Sequence, residues 1–489
     1  MRWLPARRGG AADPAIARLA EGAVDPRPHV VILGGGFAGL YAAKGLRRAP
    51  VRVTLVDRRN HHLFQPMLYQ VATAALNPSD IATPIRSILR RQANTEVLLG
   101  EAVSVDLAGR EVLLADGAAL KYDYLIVATG ARHSYFGRDH WEPLAPGLKS
   151  LEDALEIRKR TLLAFELAER ETDPARRDAY LTFVIVGGGP TGVELAGAVA
   201  EIRKYALRRD FRHINPRLAR VVLVEAGPRI LPSYPEELSR AAAAELRRLE
   251  VEVRTGAMVT DVQPWSVRAG ATVIPTRTVL WAAGNTASPL LRSLGCPLDS
   301  QGRAVVEPDC TIPGHPEVFV LGDAARFEHG TDGPLPGLSP VAIQMGKYAA
   351  RIIRREAAAR RREAGPPGAA RPGPRPPRPP FHYWDKGQLA VIGRGQAVAD
   401  IGRLHFAGFL AWLAWIFVHI FFLIGFRNRV LVLIEWAFAY FTFQRGARLI
   451  TGEVGPRTPT GPLEALPVPP PSGEAAALAA ASERPGDPP

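Results

Sequence analysis

Cysteine is almost missing from this chain of 489 residues, which has only Cys296 and Cys310. Two isolated thiols exclude a disulfide framework, and they form no CxxC pair for metal or redox work. The usage suggests a reducing compartment, or chemistry that does not run on thiols. Lysine is also scarce, so the formal net charge of +13 comes mostly from arginine. A basic balance points to nucleic acid, an anionic membrane surface or anionic cofactors. No nucleic-acid-binding motif accompanies the charge, so nucleic acid is set aside. The first 28 residues lack the apolar core of a secretory signal and are predicted to be a disordered leader. The length leaves room for two or three domains.

Glycine, by contrast, is concentrated where it carries information. His29 to Leu33 reads as a buried strand, followed by Gly34-Gly35-Gly36-Phe37-Ala38-Gly39 and a helix through Leu46. Such a strand-to-helix turn needs Gly34 for the turn, Gly36 for close approach of a pyrophosphate, and Gly39 for helix–strand packing. The helix N-terminus would present free N–H groups to phosphates. The next strand, Val51 to Val56, ends in Asp57, where an acid should receive a ribose hydroxyl pair. A second copy follows about 150 residues later: the strand Leu181–Val186, then Gly187-Gly188-Gly189-Pro190-Thr191-Gly192, with Val193 to Tyr205 as helix. Its acid is Glu225, which favours the 2′-hydroxyl of NAD over a 2′-phosphate; nearby Arg229 could soften that preference. Two complete motifs imply one tightly held dinucleotide and one that comes and goes, on an α/β fold with two Rossmann-like domains.

Further strand ends support that architecture. Tyr122 to Val127 leads into Ala128-Thr129-Gly130, Thr278 to Trp281 leads to Gly284, and Val318 to Leu321 leads into Gly322-Asp323. Asp323 is expected on the ribityl and phosphate side of a flavin dinucleotide; the plainer reading is a helix N-cap. The adjacent His61 and His62 suggest a metal pair, but neighbouring side chains point apart, so no metal is expected. The loop Asn60 to Ala72 is expected to pack against a flavin ring.

Asn60–Ala72, Gly187–Glu194, Trp281–Gly284, Gly322-Asp323 and Ala342-Ile343-Gln344 together resemble the type II NADH:quinone oxidoreductases, from about Val30 to about Ile450. The resemblance implies FAD bound in the first domain (residues 29–150 and 290–350) and NADH as substrate in the second (151–289). It also implies a quinone as second substrate, reduced without proton pumping. Gly34, Gly36, Gly39, Asp57, Ala128, Thr129, Gly130, Gly284, Gly322 and Asp323, with Gly187, Gly189, Gly192 and Glu225, would hold the two dinucleotides. Quinone-side roles fall on Glu194, Gln344 and Lys386. The family's frequent glutamine pair is only half present, because Pro340 stands at the first position. Alternatives are a sulfide:quinone reductase, which needs a cysteine pair flanking the flavin, a reductase of another quinone, or a flavoprotein that senses NADH.

Residues 351–380 become Arg-, Ala- and Pro-rich and read as a helix end followed by a linker. Residues 381–450 form a C-terminal membrane-associating region. There Leu404 to Phe426 is a run of about 23 residues without a formal charge, long enough to span roughly 30 Å of hydrocarbon. Helical spacing puts His405, Gly408, Trp412, Trp415 and His419 on one arc, opposite Phe406, Leu410, Leu413, Phe417 and Ile424. A platform lying in one leaflet is favoured over a span. The expectation is a protein held on the cytoplasmic face of the inner or plasma membrane, compatible with a homodimer, with a disordered tail from 451 to 489.

Overall fold

The computed structural model describes residues 25–207, 209–363, 377–442 and 445–451. Most of the expected leader, the centre of the linker and nearly all of the tail lie outside the described residues. His29–Leu33 runs through the middle of a six-stranded sheet, parallel to Arg52–Asp57 on one side and Tyr124–Val127 on the other. His315–Val320 pairs with Tyr124–Val127, so a late segment completes the first sheet. These strands are covered on both faces, which is why they read as unbroken apolar runs.

Helix α1 (Phe37–Gly45) leaves the first turn. The short α2 (Leu68–Ala72) is entirely buried. Helix α3 (Leu151–Arg170) starts at a capping box in which Ser150 Oγ accepts from Asp153 N and the Asp153 carboxylate accepts from Ser150 N. The second sheet has four parallel strands, in the order Val251–Arg254, Arg220–Val224, Thr182–Val186, Thr278–Trp281. From its turn comes α4 (Pro190–Glu201), with proline in the first helical turn where its missing N–H costs nothing, running on into a π-turn at Ile202–Ala206.

Helix α5 (Ser339–Glu363) lies across α1. Gly346 permits that approach, because a Cβ there would collide with the Ala38 carbonyl. The helix runs to Glu363, well into the stretch expected to be linker. The returning chain is no solvated linker either: Arg378 pairs with Glu356 at 2.6 Å and Asp309 at 2.8 Å, and Phe381 N donates to Pro308 O.

The apolar run from Leu404 divides in two. Leu404–Gly408 is the third strand of an antiparallel sheet with Gln388–Gly393 and Gln396–Ile401, turned at Gly402. Gly408, at φ +91°, ends the strand and cannot belong to a helix. Only then come α6 (Phe409–Phe422) and α7 (Phe426–Thr442). The 14 residues of α6 cover about 21 Å. Among the described residues no helix is long and apolar enough to cross a membrane. His405 is therefore not on the helical arc; it lies in the strand, 3.2 Å from both Glu237 and Asp400. Trp412, Trp415 and His419 do share the inward face of α6. On the outward faces of the two helices Leu410 is 70% exposed, Phe417 71% and Phe441 79%.

Candidate functional site

The two glycine turns have the same construction. Gly34 (φ +103°) and Gly187 (φ +108°) occupy a backbone region that side chains avoid, each tight against the strand opposite. A Cβ on Gly39 would collide with the Gly34 carbonyl, and one on Gly192 with the Gly187 carbonyl, so helix and strand could not close. Gly36 and Gly189 have nothing within 4 Å of a Cβ position, leaving the open backbone edge a pyrophosphate needs. The middle glycines, passed over in the sequence reading, matter as well. Gly35 N donates to Asp57 at 2.6 Å and Gly188 N to Glu225 at 2.5 Å. A Cβ on Gly188 would come within 2.9 Å of the Glu225 side chain.

Each acid is thus fixed by backbone donors: Asp57 also accepts from Arg59 N, and Glu225 from Gly227 N. Arg229 turns away to the carbonyls of Tyr234 (2.7 Å) and Pro232 (2.8 Å). Its guanidinium is therefore committed to these carbonyls.

Around the first turn the donors fit FAD. Thr129 Oγ1 and His62 Nε2 are buried without a partner, and such orphans are costly unless a ligand meets them. His62 Nδ1 meets Gly35 O at 2.9 Å, and burial lowers its pKa to about 4, so the ring is neutral. Its partner His61 faces the other side of the strand. Gly130, at φ +67°, has open space beside it, whereas Gly284 is packed against Phe136 and Ser134 O. Asp323 is no helix cap, since α5 begins many residues later. With Gly322, Asn285, Gln301 and Arg303 it lines a cleft of about 60 Å³. Cys310 is buried in the first core and Cys296 is half-buried against it, which leaves no thiol pair for sulfide chemistry.

A second cavity, of about 130 Å³, lies where α2, α4 and Val391–Arg394 meet α6 and α7. Its wall is largely apolar, with Trp412, Trp415, Ile416 and Trp436. Glu194, two residues past the second turn, lines it. Burial raises the Glu194 carboxyl well above its ordinary value, and the Val391 N–H pulls only weakly the other way. Burial thus favours the neutral form of the Glu194 carboxyl. Gln70 is held by Trp436 Nε1 (2.7 Å) and gives its own amide to Tyr69 OH (3.0 Å). Arg445 donates to Thr73 O and pairs with Glu201 at 2.9 Å, closing another side. A series of rings connects this cavity to the first turn. Trp415 stacks on His419 at 4.0 Å, His419 meets Phe64 at 6.2 Å, Phe64 meets Phe37 at 5.8 Å, and Phe37 opens α1.

Of the three expected quinone-side residues, only Glu194 lines the cavity. Gln344 gives both ends of its amide to the Trp384 backbone, at 2.9 and 3.0 Å, and so clamps residues 381–387 to α5. Lys386 lies over Trp384 and Phe422, at 5.3 and 5.7 Å from the ring centres. Pro340 falls in the first turn of α5, a position proline suits. The cavity residues Tyr69, Gln70, Glu201, Trp436 and Arg445 were missed in the sequence. The signal for the first two was a Tyr-Gln pair inside an otherwise apolar stretch.

Two glycine turns of one design, one seat fitted to a flavin dinucleotide and a separate apolar cavity define a flavoprotein that exchanges electrons between a nicotinamide and a second substrate. A pyridine nucleotide-disulphide oxidoreductase model matches residues 28–346, and an NDH2 C-terminal domain model matches residues 385–445. The type II NADH:quinone oxidoreductase Ndh of Mycobacterium tuberculosis (strain ATCC 25618 / H37Rv) is 46% identical over 445 residues, covering 88% of this chain and 91% of that one. The fold matches NDH2 of Plasmodium falciparum in complex with NADH, with a TM-score of 0.76 at 19% identity, over 87% of this chain and 100% of that one. It also matches, less closely, the sulfide:quinone oxidoreductase of Aquifex aeolicus, with a TM-score of 0.62 at 18% identity, over 82% and 92%. The chain belongs to the type II NADH:quinone oxidoreductases.

Proposed function

We propose that this protein oxidises NADH and passes two electrons to a membrane quinone without pumping protons. The observation that carries the reading is a buried carboxyl, Glu194, lining an apolar cavity close to the second glycine turn and walled by two outwardly apolar helices. FAD, when bound at the first turn, supplies hydride acceptance from NADH and electron delivery to the quinone.

The residues do the rest by position and charge. Gly36 and the helix N-terminus behind it receive the pyrophosphate of FAD, Asp57 its ribose, and Asp323 its ribityl side. Gly189, Gly192 and Glu225 seat NADH, and the carboxylate of Glu225 repels a 2′-phosphate. The tryptophan-lined cavity takes the quinone ring. Glu194 holds a proton where the reduced quinone needs one, and Gln344 and Lys386 position the neighbouring segment. The outward faces of α6 and α7 lie in one leaflet at the cytoplasmic side of the membrane, so quinone arrives from lipid and NADH from water. The reading holds equally for a monomer or a homodimer.

Steady-state kinetics of the FAD-loaded protein, crossing NADH and NADPH with ubiquinone and menaquinone analogues, test this. Continuous NADH oxidation that depends on quinone is expected. A stable reduced enzyme that ignores every quinone would overturn the reading in favour of a sensor.

A further inference from the structure

Three cations converge on one tyrosine at the foot of the apolar helices. Lys44 of α1 and Lys347 of α5 hold their ammonium groups 5.1 and 5.4 Å from the ring centre of Tyr41. Arg429 of α7 adds a third charge acting on Tyr41, while its guanidinium donates to the carbonyls of Leu423 (2.7 Å) and Phe421 (2.8 Å) at the end of α6. Lys386 sits next along this edge, over Phe422. The chain has seven lysines, and three of them gather here.

The grouping is electrostatically unfavourable as it stands. Partial burial and the charge of Lys347 both lower the pKa of Lys44, and among the described residues no carboxylate is among the charges acting on Lys44 or Tyr41. Asp385, beside Lys386, turns back to Gly387 N and Tyr383 OH. Like charges fixed around one ring, with a phenol to donate a hydrogen bond, suit an anion that meets all of them together. The position names the source. Ile424, in the α6–α7 connection, packs on the first core, while Phe421 and Phe426 on either side of it are 60% and 83% exposed. The cations therefore stand where the apolar faces end, at the level of lipid headgroups.

We propose that Tyr41, Lys44, Lys347 and Arg429 form a binding site for the phosphate of an anionic phospholipid, which fixes the height and tilt of the protein on the bilayer. This rests on the reading of α6 and α7 as a membrane platform.

Partition of the full-length, FAD-loaded protein onto vesicles tests it. Two compositions are compared, phosphatidylcholine alone and phosphatidylcholine mixed with phosphatidylglycerol. The wild type is expected on both, more tightly on the mixed vesicles. The double variant Lys44→Ala/Lys347→Ala should keep its binding to neutral vesicles. It should lose about 25-fold of the anionic increment, about fivefold for each basic residue at such a surface. The pair Lys44→Arg/Lys347→Arg should retain the increment, and glycerol phosphate in solution should not compete. NADH oxidation with a soluble quinone analogue should be unchanged. An equal loss from Arg247→Ala/Arg248→Ala, which removes the same charge from the end of the helix Glu236–Arg248, would reduce the site to general attraction and overturn the proposal, as would an unaltered increment in the lysine variant. Failure of the wild type to bind neutral vesicles would instead overturn the platform reading, and the lipid site with it.

Discussion

The two glycine turns superpose residue on residue in sequence, Gly34 on Gly187 and Gly39 on Gly192, yet their helices do different work. The same offset places Tyr41 of α1 on Glu194 of α4, and Lys44 on Gly197. Helix α1 is sealed under α5 through Gly45 and Gly346 and shows a tyrosine and a lysine at its open edge. Helix α4 instead presses Gly197 against the Ile392 carbonyl and offers a carboxylic acid to a cavity. The turn therefore fixes only that a dinucleotide binds. What each helix carries one turn further on, and what covers it, is where the two halves differ.

Exchanging the functional member of this matched pair should have the largest effect. Glu194→Gln keeps the shape and removes the titrating proton, so quinone reduction should fall on the order of a hundredfold while flavin reduction by NADH is kept. Stopped-flow absorbance separates the two steps, and equal slowing of both would return Glu194 to a structural role. Because burial raises the Glu194 pKa, the wild-type quinone step should decline as the pH rises and the carboxyl ionises, and the variant should not share that decline.

Next comes a contrast within one turn. Gly39→Ala forces α1 off its strand at a cost of about 1–3 kcal/mol, and should lower the thermal midpoint and release FAD. Gly36→Ala meets empty space, so the fold should survive and only FAD affinity should drop. Flavin retention on desalting, read beside the melting curve, distinguishes the two; matching losses of stability would undo the division of labour between these glycines.

Gln344→Ala should slow quinone turnover severalfold, less than Glu194→Gln, because the amide holds the Trp384 backbone and does not line the cavity. An effect as large as that of Glu194→Gln would place Gln344 on the quinone itself.

The smallest expected effect concerns α7. Burial, with the nearby Asp80 carboxylate, raises Glu435 of α7 from 4.5 to about 7. Asp80 is itself buried and accepts from Asn77 N at 2.6 Å. The folded protein therefore holds a proton that the unfolded chain releases near 4.5. This contribution is complete below about 4.5 and is lost as the pH rises through about 7. Glu435→Gln should flatten the fall of the thermal midpoint across that window, and an unaltered slope would remove Glu435 from the account.

The glycine positions were legible in the sequence because their demand is local: a turn, an open edge and a close approach lie within six residues. Asp57 and Glu225 were legible because a strand end fixes where they arrive. The start of the apolar run at Leu404 was misleading, since hydropathy alone does not separate a strand from a helix. Gly402 and Gly408, both at positive φ, were the punctuation that divides it. Beyond Glu194, which the family resemblance supplied, the cavity could not be read. It gathers Tyr69, Glu194, Val391 and Trp436 from four distant segments, and no spacing rule links them. Arg378 was hidden for a different reason, because a proline-rich composition masked a residue whose partners, Asp309 and Glu356, come from elsewhere in the chain.

That pair of contacts at Arg378 has an engineering consequence. α5 ends at Glu363, and Arg378 ties the returning chain to the same helix at Glu356, so an insertion between these two points lengthens a span whose ends are fixed. Doubling the length of such a span costs only about 0.6 kcal/mol. This is the place to insert a fluorophore tag or an affinity handle, leaving both glycine turns and the apolar faces of α6 and α7 as they are.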